Sequence, residues 1–221
     1  MSSLNTKLSI PLEGKVKSEN QVIESSPEEI QFDQANYKHD LTADFPTSLR
    51  VDLCYEYKTK AVSKVCLKKK AVEKVLEDKC SVLSDSVVTE TSSAPVKIKD
   101  VKQRSSAANE VKLTFKIINQ GKGEVYPPAS FSDKCLDISN EKNKIHVEVS
   151  SPSTKIIIKC SQLQESNKGI VKLALNERVI SCDIPTGGLQ ETAFEEPVNI
   201  ALTYFYKDKL EKQITILNSE Q

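Results

Sequence analysis

The chain has no tryptophan, one methionine, two histidines and six glycines in 221 residues. Each shortage excludes something. His39 lies in the polar stretch YKHDLTADF, and His146 alternates with Ile145 and Val147 so that it points outward from a strand. Neither has a partner placed by the sequence, so a Ser–His or Cys–His catalytic set has little to be built from. Charge of one sign is not in excess: Lys+Arg and Asp+Glu are both 31. The basic footprint that nucleic acid demands is therefore missing. No apolar run approaches the ~18 residues of a membrane-spanning helix, and MSSLNTKLSIPLEGKV has no apolar core of a signal peptide. None of the six cysteines forms the close pair that a zinc site needs. Glu195-Glu196 and the scattered Asp85, Asp133 and Asp137 lack the dense spacing of a calcium loop. The sequence thus names no catalytic residue, no metal ligand and no cofactor.

What is present is β-structure. Val, Ile and Thr are abundant, as strands prefer. Val96–Val101 alternates apolar and polar, and Glu110–Ile118 does so with Val111, Leu113, Phe115 and Ile117 on one face. The latter ends in Asn119-Gln120-Gly121-Lys122-Gly123, a turn whose glycines can take positive φ. Further strands are expected at Lys144–Val149, Thr154–Cys160, Gly169–Leu175 and Arg178–Ile184. Roughly six to eight short strands without intervening helical periods read as an all-β sandwich.

The chain also repeats itself. LRVDLCYEYKTKAVSKVCL at Leu49–Leu67 aligns without a gap to VNIALTYFYKDKLEKQITI at Val198–Ile216. Tyr55 and Tyr57 match Tyr204 and Tyr206, while Cys54 and Cys66 become Thr203 and Thr215. Each copy is read as a terminal hairpin, the first turning near Lys60, the second pairing Val198–Tyr206 with Glu211–Leu217. Two copies imply two tandem immunoglobulin-like β-sandwich domains: a short one at 1–83, a Ser/Thr-rich linker at 84–95 and a second domain at 96–218. The first domain lacks counterparts of the opening strands of the second. Either a longer chain begins upstream or the first domain is a smaller, divergent one. Ala71, Val72, Val75 and Leu76 suggest a short amphipathic helix near 70–79, and Lys68-Lys69-Lys70 reads as a solvated face. The four repeated tyrosines continue the apolar face of their strands. They are expected in the core or at its edge, each hydroxyl reaching a backbone group.

An even number of widely spaced cysteines (Cys54, Cys66, Cys80, Cys135, Cys160, Cys182) reads as three disulfides in an oxidising compartment. In a hairpin turning near Lys60, Cys54 and Cys66 face each other and can bond. One scheme for the other four is Cys160–Cys182 with Cys80–Cys135. Four cysteines allow three connectivities, and the sequence does not choose among them.

CYEYKTKAVSKVC, the later IINQGKGEVY, the cysteines that follow and the closing PVNIALTYFYKDKLEKQITI together resemble a family of archaeal membrane-anchored surface proteins. In that family two immunoglobulin-like sandwiches follow a membrane helix. The N-x-G-x-G turn also resembles the CARDB-type adhesion module. The resemblance spans roughly Glu29 to Ile216, but this chain lacks the membrane helix and the opening strands. It implies a cell-surface or extracellular location, disulfides, no enzymatic role, and a protein or cell-surface partner. Contact with a membrane would come only through an anchor outside this chain. Two functional expectations follow. One is a non-enzymatic surface or secreted protein acting in adhesion, binding or surface assembly. The other is a structural subunit that polymerises by strand exchange through its short first domain, a form of self-association.

Overall fold

A computed structural model describes residues 16–18, 21–23, 26–32, 37–71, 79–83, 87–128 and 139–218. The strands are β1 (Val16–Ser18), β2 (Gln21–Ile23), β3 (Phe45–Leu67), β4 (Thr89–Thr91), β5 (Val96–Ala107) and β6 (Glu110–Asn119). They continue as β7 (Glu124–Tyr126), β8 (Lys144–Ser150), β9 (Lys159–Cys160), β10 (Lys168–Lys172), β11 (Glu177–Pro185) and β12 (Phe194–Ile216), with a 3-10 turn at Ser139–Glu141. The chain is all-β.

It divides into two compact units, Met1–Val51 with Glu211–Gln221, and Asp52–Leu210. This differs from a boundary at 84–95. Thr89–Thr91 is a strand that pairs with Ala61–Ser63 of β3, so the expected linker is partly built into a sheet.

In the larger unit, one sheet runs β10-β8-β12-β3-β4, with β7 also paired to β12, and the other runs β5-β6-β11-β9. The pairings are antiparallel wherever a register is set, as between β6 and β11 from Glu110–Pro185 to Ile118–Glu177. The two sheets pack as a sandwich around one core. Its members include Phe115, Ile180 and Ile184 from the four-stranded sheet and Val65, Val147, Leu202 and Tyr204 from the other. Strict alternation builds it: β6 buries Val111, Leu113, Phe115 and Ile117 and turns the residues between them to partial exposure. Each fully buried large apolar side chain contributes about 1.5–3 kcal/mol. A bulge in β5 between Lys99 and Lys102 shifts its register against β6. Asp100 sits there at φ 50°, the left-handed region that Asp tolerates better than most residues.

The repeat has a different meaning from the one expected. β3 and β12 are not hairpins. Each is a single strand of 23 residues, and the two are neighbours in one sheet. Tyr57 stacks on Tyr204 and Tyr55 lies against Tyr206, so the strands run in opposite directions. The matching segments therefore belong to one sandwich and meet each other, rather than standing in separate tandem domains. At the supposed turn, Thr59 and Ala61 are buried core-face residues, and Lys58, Lys60 and Val62 alternate with them outward. This is extended backbone, not a reversal.

Other expectations also change. Thr154–Cys160 shrinks to the two residues of β9. Lys68 is buried, not solvated, although Lys69 does face solvent and bonds Glu191 at 2.8 Å. The helix expected near 70–79 lies mostly at residues 72–78, outside the described residues.

In the smaller unit, β1 and β2 pair from Val16–Ile23 to Ser18–Gln21. The Tyr37 ring lies 5.6 Å from that of His39 and 6.0 Å from Phe45. The backbone N–H of Asn218 donates to Asp44 Oδ1 at 2.9 Å.

Candidate functional site

The densest chemistry in the larger unit surrounds the four repeated tyrosines. β3 and β12 place them on the core side of adjacent strands by simple alternation. Tyr57 and Tyr204 are stacked, with centroids 5.9 Å apart and an interplanar angle of 18°. Tyr55 and Tyr206 are 5.7 Å apart. Tyr204 and Tyr206 are fully buried, while Tyr55 and Tyr57 are half-buried.

Three of the hydroxyls are committed. Tyr57 donates to the Ser93 carbonyl at 2.8 Å. Tyr206 accepts from the Gly123 N–H at 2.8 Å. Tyr204 accepts from the Val96 N–H at 3.4 Å and shares a 3.0 Å hydrogen bond with Thr59. Thr59 donates to the Val96 carbonyl at 2.8 Å. Burial raises the Tyr204 phenol above its ordinary range, against the hydrogen bonds from Thr59 and Val96. Burial also pushes Tyr55 up to about 12, helped by Tyr206, Asp208 and Tyr57. Tyr55, Tyr204 and Tyr206, all raised by burial, are neutral at any ordinary pH and serve as hydrogen-bonding and ring-packing groups.

The Asn119–Gly123 turn is shaped by Tyr206. No glycine in the chain has positive φ among the described residues, so conformational freedom is not why these glycines are there. A Cβ at Gly121 would overlap the Tyr206 hydroxyl, and one at Gly123 would lie 2.5 Å from Tyr206 Cε1 and from the Lys207 carbonyl oxygen. The Asn119 side chain closes the turn by donating to the Gly123 carbonyl at 2.9 Å.

Beside the turn, Glu124 accepts from Tyr126 at 2.8 Å and from Lys142 at 2.7 Å, with Lys209 at 3.4 Å. Partial burial raises its pKa, but those hydrogen bonds and the two ammonium charges outweigh it and hold the carboxyl at about 2. Glu124 is thus a fixed anion with three partners rather than a proton carrier. Lys207, almost wholly buried, lies 3.5 Å from Asp52.

The cysteines divide as follows. Cys160 is bonded to Cys182, at a position where β9 and β11 place the two directly opposite. Cys66 is bonded to Cys80, which corrects both the Cys54–Cys66 pairing and the Cys80–Cys135 scheme. The reason is the straightness of β3: twelve residues of extended strand separate Cys54 from Cys66 by about 40 Å. Cys54 is itself disulfide-bonded, and Cys135 lies outside the described residues. None of the described cysteines is free.

Gln103 was not singled out from the sequence. Its buried carboxamide accepts from the Cys66 N–H at 2.8 Å and donates to the carbonyls of Ser81 at 3.2 Å and Val82 at 3.1 Å. It therefore pins both flanks of the Cys66–Cys80 loop. Strict alternation from Val96 and Ile98 would turn Gln103 outward, and only the bulge between Lys99 and Lys102 brings it to the core side.

His39 belongs to the smaller unit and His146 to the larger. Among the described residues no group of three or more His, Cys, Asp and Glu side chains could hold a metal ion. Among the described residues no helix is long and apolar enough to cross a membrane. No protein-family model, curated protein or solved structure matches the chain.

Proposed function

We propose that this chain is a non-enzymatic β-sandwich protein of the cell surface or the secreted space, acting in adhesion, binding or surface assembly through a protein or cell-surface partner. The observation that carries the reading is the cysteine chemistry. Cys66–Cys80 and Cys160–Cys182 are bonded, and Cys54 is bonded as well. Structural disulfides persist in oxidising compartments and are rare in reducing ones. The polar groups of the tyrosine cluster also support a framework role. Glu124 is held by Tyr126, Lys142 and Lys209, and three of the four phenols are tied to backbone groups. Such groups build a rigid scaffold, and recognition then falls to loops and strand edges. The immunoglobulin-like character and the likeness to archaeal surface proteins belong to this same proposal.

The test is thiol chemistry on protein isolated from its native source. Alkylation without reductant should add nothing, and reduction should raise the mass by about two hydrogens per bond before alkylation. Reactive Cys66, Cys80, Cys160 and Cys182 in the unreduced protein would overturn the extracellular reading.

A further inference from the structure

We propose that the outer face of the β5-β6-β11-β9 sheet binds a linear anionic polysaccharide, which rests on the surface-binding role above and names its partner. The chain as a whole is balanced, with Lys+Arg and Asp+Glu both 31, but this face is not. β5 turns Val96, Ile98, Val101 and Gln103 inward, and Lys97, Lys99, Lys102 and Arg104 outward. β6 turns Lys112 and Lys116 to the same side. β9 adds Lys159, in register with Asp183 of β11. Carboxylates on the face are fewer. Asp183 lies 2.8 Å from Lys112, and Asp100 and Glu177 each lie 3.7 Å from Lys116. Glu110, at the far end of β6, accepts from Ser106. Lys99, Lys102 and Arg104 are exposed, and the row from Lys97 to Arg104 covers about 20 Å of strand.

The register makes this face costly for the free protein. Lys99 stands directly opposite Lys116, and Arg104 directly opposite Lys112. Like charges at opposed positions of a ladder repel. A polyanion laid along the two strands meets both members of each pair and turns the repulsion into attraction. The rest of the face selects the kind of polyanion. Between the two charged pairs lie Lys102, Thr114 and Ser181, in register across three strands. Two hydroxyls beside an ammonium suit the hydroxyls and acidic substituents of a sugar chain. None of the four strands puts an aromatic side chain on this face, the one aromatic among them, Phe115, being in the core. The face therefore offers no platform for stacked bases and no aromatic anchor of the kind that dominates protein interfaces. A line of cations flanked by hydroxyls fits a charged sugar polymer.

Titration calorimetry of the full chain with dextran sulfate, polygalacturonate and uncharged dextran tests this. Wild type should bind at least one of the two anionic polymers, more weakly as salt rises, and should not bind dextran. Lys99→Glu combined with Lys102→Glu and Arg104→Glu should weaken that binding by about tenfold or more. Its thermal midpoint should hold or rise, because Lys116 and Lys112 then face carboxylates. Lys58→Glu with Lys60→Glu, at exposed positions of the other sheet, is the control and should bind as wild type does. No binding to either anionic polymer, equal binding to dextran, equal loss in both variants, or tighter binding to polyglutamate or duplex DNA would each overturn the proposal. None of these outcomes touches the disulfide test, so the two readings fail separately.

Discussion

The phenol of Tyr204 and the hydroxyl of Thr59 meet 3.0 Å apart inside the core. Thr59 gives its proton to the Val96 carbonyl and Val96 gives its N–H to Tyr204, so Tyr204 donates to Thr59 and the three residues close a ring of hydrogen bonds. Two of them lie on neighbouring strands of one sheet and the third begins β5 of the other. The ring therefore ties the two layers together with every polar atom in it satisfied, which a low-dielectric interior requires.

Removing one member should cost more than the bond itself. Tyr204→Phe keeps the ring stack on Tyr57 but leaves the Val96 N–H buried without a partner and deprives Thr59 of its donor. We expect a loss of about 2 kcal/mol in the free energy of unfolding. Tyr57→Phe, whose hydroxyl bonds the exposed Ser93 carbonyl, should lose less than half of that. Urea denaturation of the two variants, compared at constant m-value, checks the ranking. Equal effects would mean that the ring carries no special weight.

Much of the sandwich could be read from the sequence, and the reason is periodicity. The strands at Glu110, Lys144 and Arg178 alternate and have one wetter side, and the strand at Val96 does so up to its bulge, so their pattern announces them. β3 and β12 are harder to read, because a repeated segment invites a repeated domain and the polar Lys58-Thr59-Lys60 in mid-segment invites a turn. Two signals pointed the other way. No Gly, Pro, Asn or Asp stands at that place in the first copy, and the alternation passes through Thr59 without a break. The error then carried into Cys54–Cys66, since a pairing deduced from a false register fails with it. Gly121 and Gly123 stand in the turn that the sequence implies, but neither takes positive φ. What they accommodate is Tyr206, a residue more than eighty positions later in the chain, and no local pattern reports such a long-range approach. Gln103 illustrates the same limit, as its three partners lie in other segments.

The close approach of Tyr206 gives the second prediction. Gly123→Ala places a methyl group against both the Tyr206 ring and the Lys207 carbonyl. The turn must shift, which costs the Gly123–Tyr206 hydrogen bond and disturbs the packing of the four rings. A destabilisation of about 2–3 kcal/mol is expected from overpacking of this kind. Gly188, where an added Cβ meets nothing within 4 Å, supplies the control: Gly188→Ala should change the thermal midpoint little or raise it slightly. A Gly123→Ala protein as stable as wild type would show that the turn yields easily.

Glu124 links stability to acid. Its carboxyl titrates near 4.5 when unfolded and at about 2 in the folded chain, because Lys142, Tyr126 and Lys209 favour the anion more than partial burial opposes it. A depressed carboxylate pKa means that the unfolded state takes up the proton first. The stabilisation is therefore complete above about pH 4.5 and drains away as the pH falls toward 2. Glu124→Gln keeps the shape and the Tyr126 acceptor but removes the charge. At pH 7 we expect the variant to be weaker than wild type by about 1–2 kcal/mol, as for a hydrogen-bonded charge left without its partner. Between pH 4.5 and 2 the wild-type curve should fall toward that of the variant until the two converge. Denaturant unfolding at several pH values across this window reads the convergence directly. Parallel curves would mean that the Lys142 and Lys209 ammonium groups gain as much from solvent as from Glu124.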